Sequence, residues 1–260
     1  MDRDKLTLLF IGLLVASRIF GQGASMSGGS AACATIGASG TAATVSACFT
    51  PINLVNNTYV QSSTSTGPAT TSPVSCAGAN FVDVMVADFG TLATGATVTS
   101  SPSNTFTAAA NATLGSGTNI AHFRAWNASV SASMTFTVSN VANGGFPAIL
   151  GQCFSGVLAT ADPLDQQSTG TLGAANNCQA SDTLLSLGTV GELVVLGISN
   201  TNGEGYTISS GFDFTTFASS STGTGGAVAW NVITSGQVMP TWTPSFSQPE
   251  VCDIISYKSQ

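Results

Sequence analysis

Two aspartates, Asp162 and Asp165, stand three residues apart around a proline in SGVLATADPLDQQSTG (155–170). Three kinds of chemistry could use them. Paired carboxylates do acid–base work in glycoside hydrolysis when they face each other across a cleft, roughly 5–9.5 Å apart. Acids three apart in one turn reach the low end of that separation, but not from opposite sides of a substrate. A calcium ion needs six to eight oxygens, and this stretch brings two carboxylates and backbone carbonyls. A type I turn needs less: Asp at its first position accepts a backbone N–H, and Pro at its second presets φ. Asp162 and Asp165 are therefore expected first as a turn, then as a calcium site, and last as catalysts.

The one histidine, His122, sits in the apolar run AHFRAWN (121–127). A Ser-His-Asp triad would have to use it, yet no G-x-S-x-G elbow occurs. A hydrogen-bonded strand histidine is the expected role. In FVDVMVADF (81–89), Val82, Val84 and Val86 share one strand face, Asp83 shares the other with Met85, and Asp88 ends the valine face. Both acids read as solvent-facing. Nothing in the spacing of Glu192 and Glu204 selects a carboxylate dyad. No catalytic residue is assigned.

Aromatic residues are the better binding candidates, because a flat ring stacks on the C–H face of a sugar while large aromatics otherwise fill cores. Trp242, between two prolines in MPTWTPS, Tyr206 in the loop NGEGY, and Tyr59 are expected to be exposed and to touch ligand. Trp126 and Trp230 occupy echoed positions and are expected in the core.

These side chains are carried by an unusual background. The 260 residues are 43% hydrophobic and only 7% charged, with a formal charge of −7. Arg3, Lys5 and Arg18 fall in the first eighteen positions, which leaves Arg124 and Lys258 against ten acids. Two cations cannot neutralise a run of phosphates or a lipid surface, so neither nucleic acid nor a polybasic membrane contact is expected. A hydroxyl- and amide-rich surface suits a neutral glycan or a protein surface. No cofactor is expected, calcium being the one candidate ion.

Residues 1–23 (MDRDKLTLLFIGLLVASRIFGQG) have a charged start, an apolar stretch from Leu6 to Ser17 and small residues beyond. That is a secretory signal pattern, which places the mature chain outside the cell or on its surface. Six cysteines (Cys33, Cys48, Cys76, Cys153, Cys178, Cys252), with no CxxC, then read as disulfides rather than zinc ligands. Cys33–Cys48 and Cys153–Cys178 are expected to close local loops, and Cys76–Cys252 to join the ends of the main domain.

The elements that must position all of these are strands. Residues 24–51 are small and poor in aromatics, a linker or stapled cap. From residue 52 to 260, short Val-, Thr- and Phe-rich runs alternate with Gly, Asn and Ser clusters. Strands are expected over 52–61, 80–89, 104–110, 119–126, 132–139, 147–155, 191–199, 211–218, 226–233, 238–244 and 251–258. One antiparallel β-sandwich or jelly roll follows. The chain also echoes itself: FVDVMVADF in ELVVLGISN, TVTSSPSNTFTAAA in TISSGFDFTTFASS, AHFRAWN in AVAWNVI, SMTFTVS in MPTWTPS, AILGQCF in CDIISYK. Two similar half-motifs are expected.

The succession ANFVDVMVADF, SNTFTAAANATLGSGTNIAHFRAWN, SMTFTVS, AILGQCFSGVLATADPLDQQSTGT, GELVVLGIS and VCDIISYK resembles an uncharacterised β-sandwich domain family of bacterial secreted proteins. Arg124 stands where such domains tend to be apolar, and Asp162 where Asn is common. The resemblance implies a sandwich and an exported chain, similar to modules attached to extracellular enzymes and adhesins, and no catalytic residue. The expected function is a secreted binding module; a filament or virion surface subunit is the alternative, and a glycan-active hydrolase the second.

Overall fold

The computed structural model describes residues 32–36, 45–62, 67–89, 96–113, 118–140, 146–175, 178, 191–200, 205–209, 211–219, 224–233, 240–245 and 248–260. The signal pattern over 1–23 lies outside the described residues. Residues 1–51 and 52–260 form two separate compact units. In the first, β1 (Ala32–Ile36) pairs antiparallel with β2 (Val45–Phe49), and their backbone register sets Cys33 opposite Cys48. The expected bond between those two side chains lies outside the described residues.

The second unit is all β. Among its described residues, fifteen strands follow in order: β3 (Asn53–Gln61), β4 (Ala69–Thr70), β5 (Phe81–Phe89), β6 (Thr97–Ser101), β7 (Thr107–Thr113), β8 (Thr118–Trp126), β9 (Thr135–Ser139), β10 (Ala148–Ser155), β11 (Leu164–Ala175), β12 (Glu192–Asn200), β13 (Tyr206–Ile208), β14 (Asp213–Ser219), β15 (Gly225–Ile233), β16 (Trp242–Pro244) and β17 (Gln248–Tyr257). Two five-stranded antiparallel sheets form, β3-β10-β5-β8-β7 and β11-β17-β12-β15-β14. Two smaller sheets accompany them, β4-β9-β6 and β13-β16.

The two halves thus share one plan. In each large sheet the half's first strand lies at one edge, its last strand lies second, and the strand before its small-sheet excursion lies third. The small sheets correspond too: a bridge joins Val74 to Met134 before β9, and another joins Cys178 to Trp242 at β16. The echoes heard in the sequence fall on these matching strands. AILGQCF and CDIISYK even share register, since Ala148 pairs with Ala87 and Cys252 with Ile198, the echo of Ala87.

Burial follows from layering. β6 and β9 alternate buried and open positions, as an outer sheet must. In β8, β10 and β12 nearly every position is buried, because the large sheets are inner layers with packing on both faces. Three apolar clusters result. Val82, Val84, Val86, Met134, Phe136 and Ile149 fill the first half, between its small and large sheets. Val194, Leu196, Ile198, Tyr206, Trp242 and Ile254 fill the second. Phe81, Met85, Ile120, Leu150 and Phe154 of one large sheet meet Leu193, Val195, Val228, Ile255 and Tyr257 of the other in a shared central core.

Among the described residues, the disulfides are Cys76–Cys153 and Cys178–Cys252. This corrects the expected pairing of Cys153 with Cys178 and of Cys76 with Cys252. Each bond stays within one half, tying the segment before the third sheet strand to the last strand of that half. A loop-closure argument cannot see this, because the last strand reaches its partner through the fold and not along the chain.

Candidate functional site

The central core contains a polar cluster. Asp83, Arg124 and His122 lie on the same face of the first large sheet as Phe81, Met85 and Ile120, by the period-two alternation of β5 and β8. Asp253 and Tyr257 share a face of β17 with Val251 and Ile255, and point at the first group. His122 Nδ1 donates to Asp83 Oδ2 at 2.8 Å, and His122 Nε2 forms an ion pair with Asp253 Oδ1 at 3.3 Å. The Tyr257 hydroxyl donates to the second Asp83 oxygen at 2.8 Å. The Gly197 backbone N–H donates to Asp253 Oδ1 at 2.8 Å. The side chains of His122, Asp83 and Asp253 are fully buried.

Gly197 makes the approach feasible. A Cβ there would stand 2.8 Å from Asp253 Oδ1, 2.9 Å from His122 Nε2, and closer still to Ile120 Cδ1. Burial alone would drive the imidazole to its neutral form. The charges of Asp253 and Asp83 outweigh it, and the pKa of His122 is pushed up to about 10. Burial, and then the neighbouring Asp83 carboxylate, hold the Tyr257 phenol well above its ordinary range. An imidazole that keeps its proton across neutral pH and has both nitrogens against carboxylates is not a general base. The cluster is a charged pin between two sheets.

His122 is thus a buried strand histidine, hydrogen-bonded through Nδ1 and ion-paired through Nε2. Asp83 and Asp88 are not solvent-facing: both are fully buried. The alternation of β5 was read correctly, but both of its faces are interior. Glu192 is buried as well, and Glu204 lies outside the described residues.

The Asp162 side chain accepts the Leu164 N–H at 3.1 Å. It also takes a bidentate pair from Arg124, Nε to Oδ1 at 2.8 Å and Nη2 to Oδ2 at 2.6 Å. Those hydrogen bonds, against the opposing effect of partial burial, keep its carboxyl below the ordinary range. Burial opposes the Arg124 charge, but the hydrogen bonds and charge of Asp162 outweigh it and raise its pKa. Asp165 lies in β11 rather than in the turn, and its carboxylate pairs with Lys258 at 3.1 Å. The two acids therefore engage different cations of the protein.

Trp242 and Tyr206 are buried, at 1% and 4% exposure, which corrects the expectation that both are open to ligand. Prolines and a glycine-rich loop suggested a surface, but β13 pairs with β16 and folds the two rings edge-to-face, 6.2 Å apart, into the core of the second half. Tyr59 is exposed at 52%, on edge strand β3. Trp126 and Trp230 are half-buried against the central core, and Trp230 packs edge-on to Phe154.

Trp126 also borders open space. It lines a cleft of about 520 Å³ together with Ser103, Asn104, Thr105, Asn127, Ser129, Ala159 and Thr160. The lining comes from three connections, β6–β7, β8–β9 and β10–β11, and it includes no charged side chain. The Arg124 guanidinium lies over the Trp126 ring, 5.9 Å from its centre, and Nη1 donates to the Ala108 carbonyl at 2.8 Å. Sequence reasoning assigned Trp126 to the core and gave Arg124 no role. The available signal was the pair R-x-W at the end of an apolar strand, where side chains two apart share a face.

Comparison of the chain with protein-family models, with curated proteins and with solved structures found no match.

Proposed function

We propose that this is an exported, non-catalytic β-sandwich module, each half a jelly roll, that works by binding a neutral, hydroxyl-rich partner such as a glycan at a cell or matrix surface. One observation carries the reading. His122, Asp83 and Asp253 are closed on one another in the core, whereas the open cleft at Trp126 is lined by uncharged hydroxyl and amide groups. Both cations beyond residue 18, Arg124 and Lys258, are held in ion pairs, which argues against phosphate or anionic-lipid recognition. Export is supported by the apolar leader and by two disulfides, which persist in oxidising compartments. The jelly-roll reading is supported by strands that pass between small and large sheets and by a last strand seated beside the first. Membership of the resembled bacterial family is part of the same proposal.

The test is a glycan and matrix-protein array probed with the purified chain at about 50 mM and about 500 mM salt. Recognition of uncharged groups predicts binding that salt leaves unchanged, because screening acts on charges. Polysaccharide turnover abolished by an acid-to-amide change would replace this reading with the hydrolase, and assembly that grows with protein concentration would replace it with the structural subunit.

A further inference from the structure

We infer that the cleft at Trp126 is the ligand site of this module, that it takes one neutral sugar ring or a short stretch of sugar chain, and that Arg124 shapes it without touching the ligand. The inference rests on the binding reading above and assigns that function a place.

Size is the first argument. About 520 Å³ falls within the range of ligand-binding pockets, roughly 300–1,000 Å³. Chemistry is the second. A sugar presents an apolar C–H face and a rim of hydroxyls, and the cleft offers one aromatic ring among amides and hydroxyls. Ser103, Thr105, Asn127 and Thr160 are exposed, and their side chains make no hydrogen bond among the described residues, so their donors and acceptors are open. A phosphate-bearing ligand would find no cation, because Arg124 is committed to Asp162 and to the Ala108 carbonyl.

Preorganisation is the third argument, and it marks the cleft as built. Asn104 staples two of the three connections: its Oδ1 accepts the Ser129 N–H at 2.7 Å, and its amide donates to the Ser129 carbonyl at 3.0 Å and to Ser100 Oγ at 3.0 Å. The third connection is anchored on both sides of Ala159 and Thr160. Asn80 donates to the Val157 carbonyl at 2.6 Å, and Arg124 grips Asp162. Walls fixed before binding cost less ordering when ligand arrives. Arg124 thus joins the Trp126 ring to the third wall and is a positioning residue.

The experiment starts with the glycan array and continues by calorimetry on its strongest hit. Trp126→Ala is expected to weaken binding about tenfold or more, as a central aromatic contact should. Because Trp126 also packs on the core, two surface changes run beside it. Asn127→Gly, which respects the φ of 48° there, and Thr160→Ala should each weaken binding severalfold with unchanged melting temperature. Arg124→Gln should weaken binding and loosen residues 159–162, seen as faster amide exchange at Leu164. Thr207→Ala, exposed on β13 of the other half, should bind as wild type does. Wild-type binding that all of the cleft variants retain within about twofold would overturn the cleft and leave the binding reading standing. A silent array with wild type would overturn both.

Discussion

At the scale of single residues, the protein's sharpest energetic feature is a charge buried where neither water nor ligand reaches it. Removing one partner of a buried ion pair leaves the other uncompensated and costs about 3–5 kcal/mol. His122→Gln leaves Asp83 and Asp253 facing each other without a cation, so a loss of that size is expected in a urea melt. The pH dependence separates charge from packing. The folded-state pKa of His122, about 10, lies above its ordinary 6.5, so the cluster's contribution is complete below about pH 6.5 and drains away as pH rises towards about 10. Wild type should therefore lose stability between about pH 7 and pH 10, and His122→Gln should lack that slope. A wild-type stability flat across this window would show that the imidazole is not held protonated. What the sequence told at this scale was uneven. It anticipated hydrogen-bonding partners for His122 and a backbone N–H for the Asp162 carboxylate, because both inferences rest on local chemistry. It put Asp83 in water, because alternation distinguishes the two faces of a strand without saying what covers each. Trp242 and Tyr206 failed for a related reason, since loop-like neighbours do not reveal that their own segments pair as a small sheet and turn both rings onto the large one.

Elements tell a second story, in which glycine and cystine decide how closely layers approach. Gly197 in β12 admits the His122 ring and the Asp253 carboxylate to its surface, with Ile120 against the same point. Gly197→Ala inserts a methyl where three groups already stand, an overpacking expected to cost about 1–3 kcal/mol. A Gly197→Ala variant as stable as wild type would mean that the two sheets can separate there without penalty. Gly151 in β10 does the same for the ring of Phe136 in the first half, where a Cβ would stand 2.9 Å from Cγ and closer to the ring edge. The disulfides act on the unfolded chain instead. Cys178 and Cys252 are 74 residues apart, so replacing both with serine should cost about 2–5 kcal/mol in a thermal melt, without a change in strand content by circular dichroism. Strands with strong Val, Ile and Phe runs were legible almost to their ends, as FVDVMVADF and ELVVLGISN show. β11 was not, because LDQQSTGTLGAA is polar and glycine-bearing and becomes a strand only by pairing with β17 at a sheet edge. The bond partners were hidden because pairing within each half depends on which strands become neighbours.

For residues 52–260 as a whole, the duplication raises the question of whether a half can stand alone. The strand orders say that each half is a complete plan, but the burial says otherwise. The inner face of the first large sheet carries Phe81, Met85, Ile120, Leu150 and Phe154, which share one core with Leu193, Val195, Val228, Ile255 and Tyr257 of the second half. The same face holds Asp83 and His122, whose remaining partners, Asp253 and Tyr257, lie on β17. Cutting the chain in the β10–β11 connection would expose a contiguous apolar face of the kind that monomeric proteins seldom tolerate. It would also leave the buried pair half-satisfied and release Arg124 from Asp162, which closes the third wall of the cleft. The expected result for a fragment of residues 52–160 is self-association or loss of fixed structure, whereas the intact chain should unfold from 52 to 260 in one calorimetric transition, because the central core belongs equally to both halves. A soluble, monomeric fragment with dispersed amide resonances, or an intact chain that melts in two separable steps, would show that the halves are independent modules joined by a weak interface and that the pin at His122 is dispensable to both.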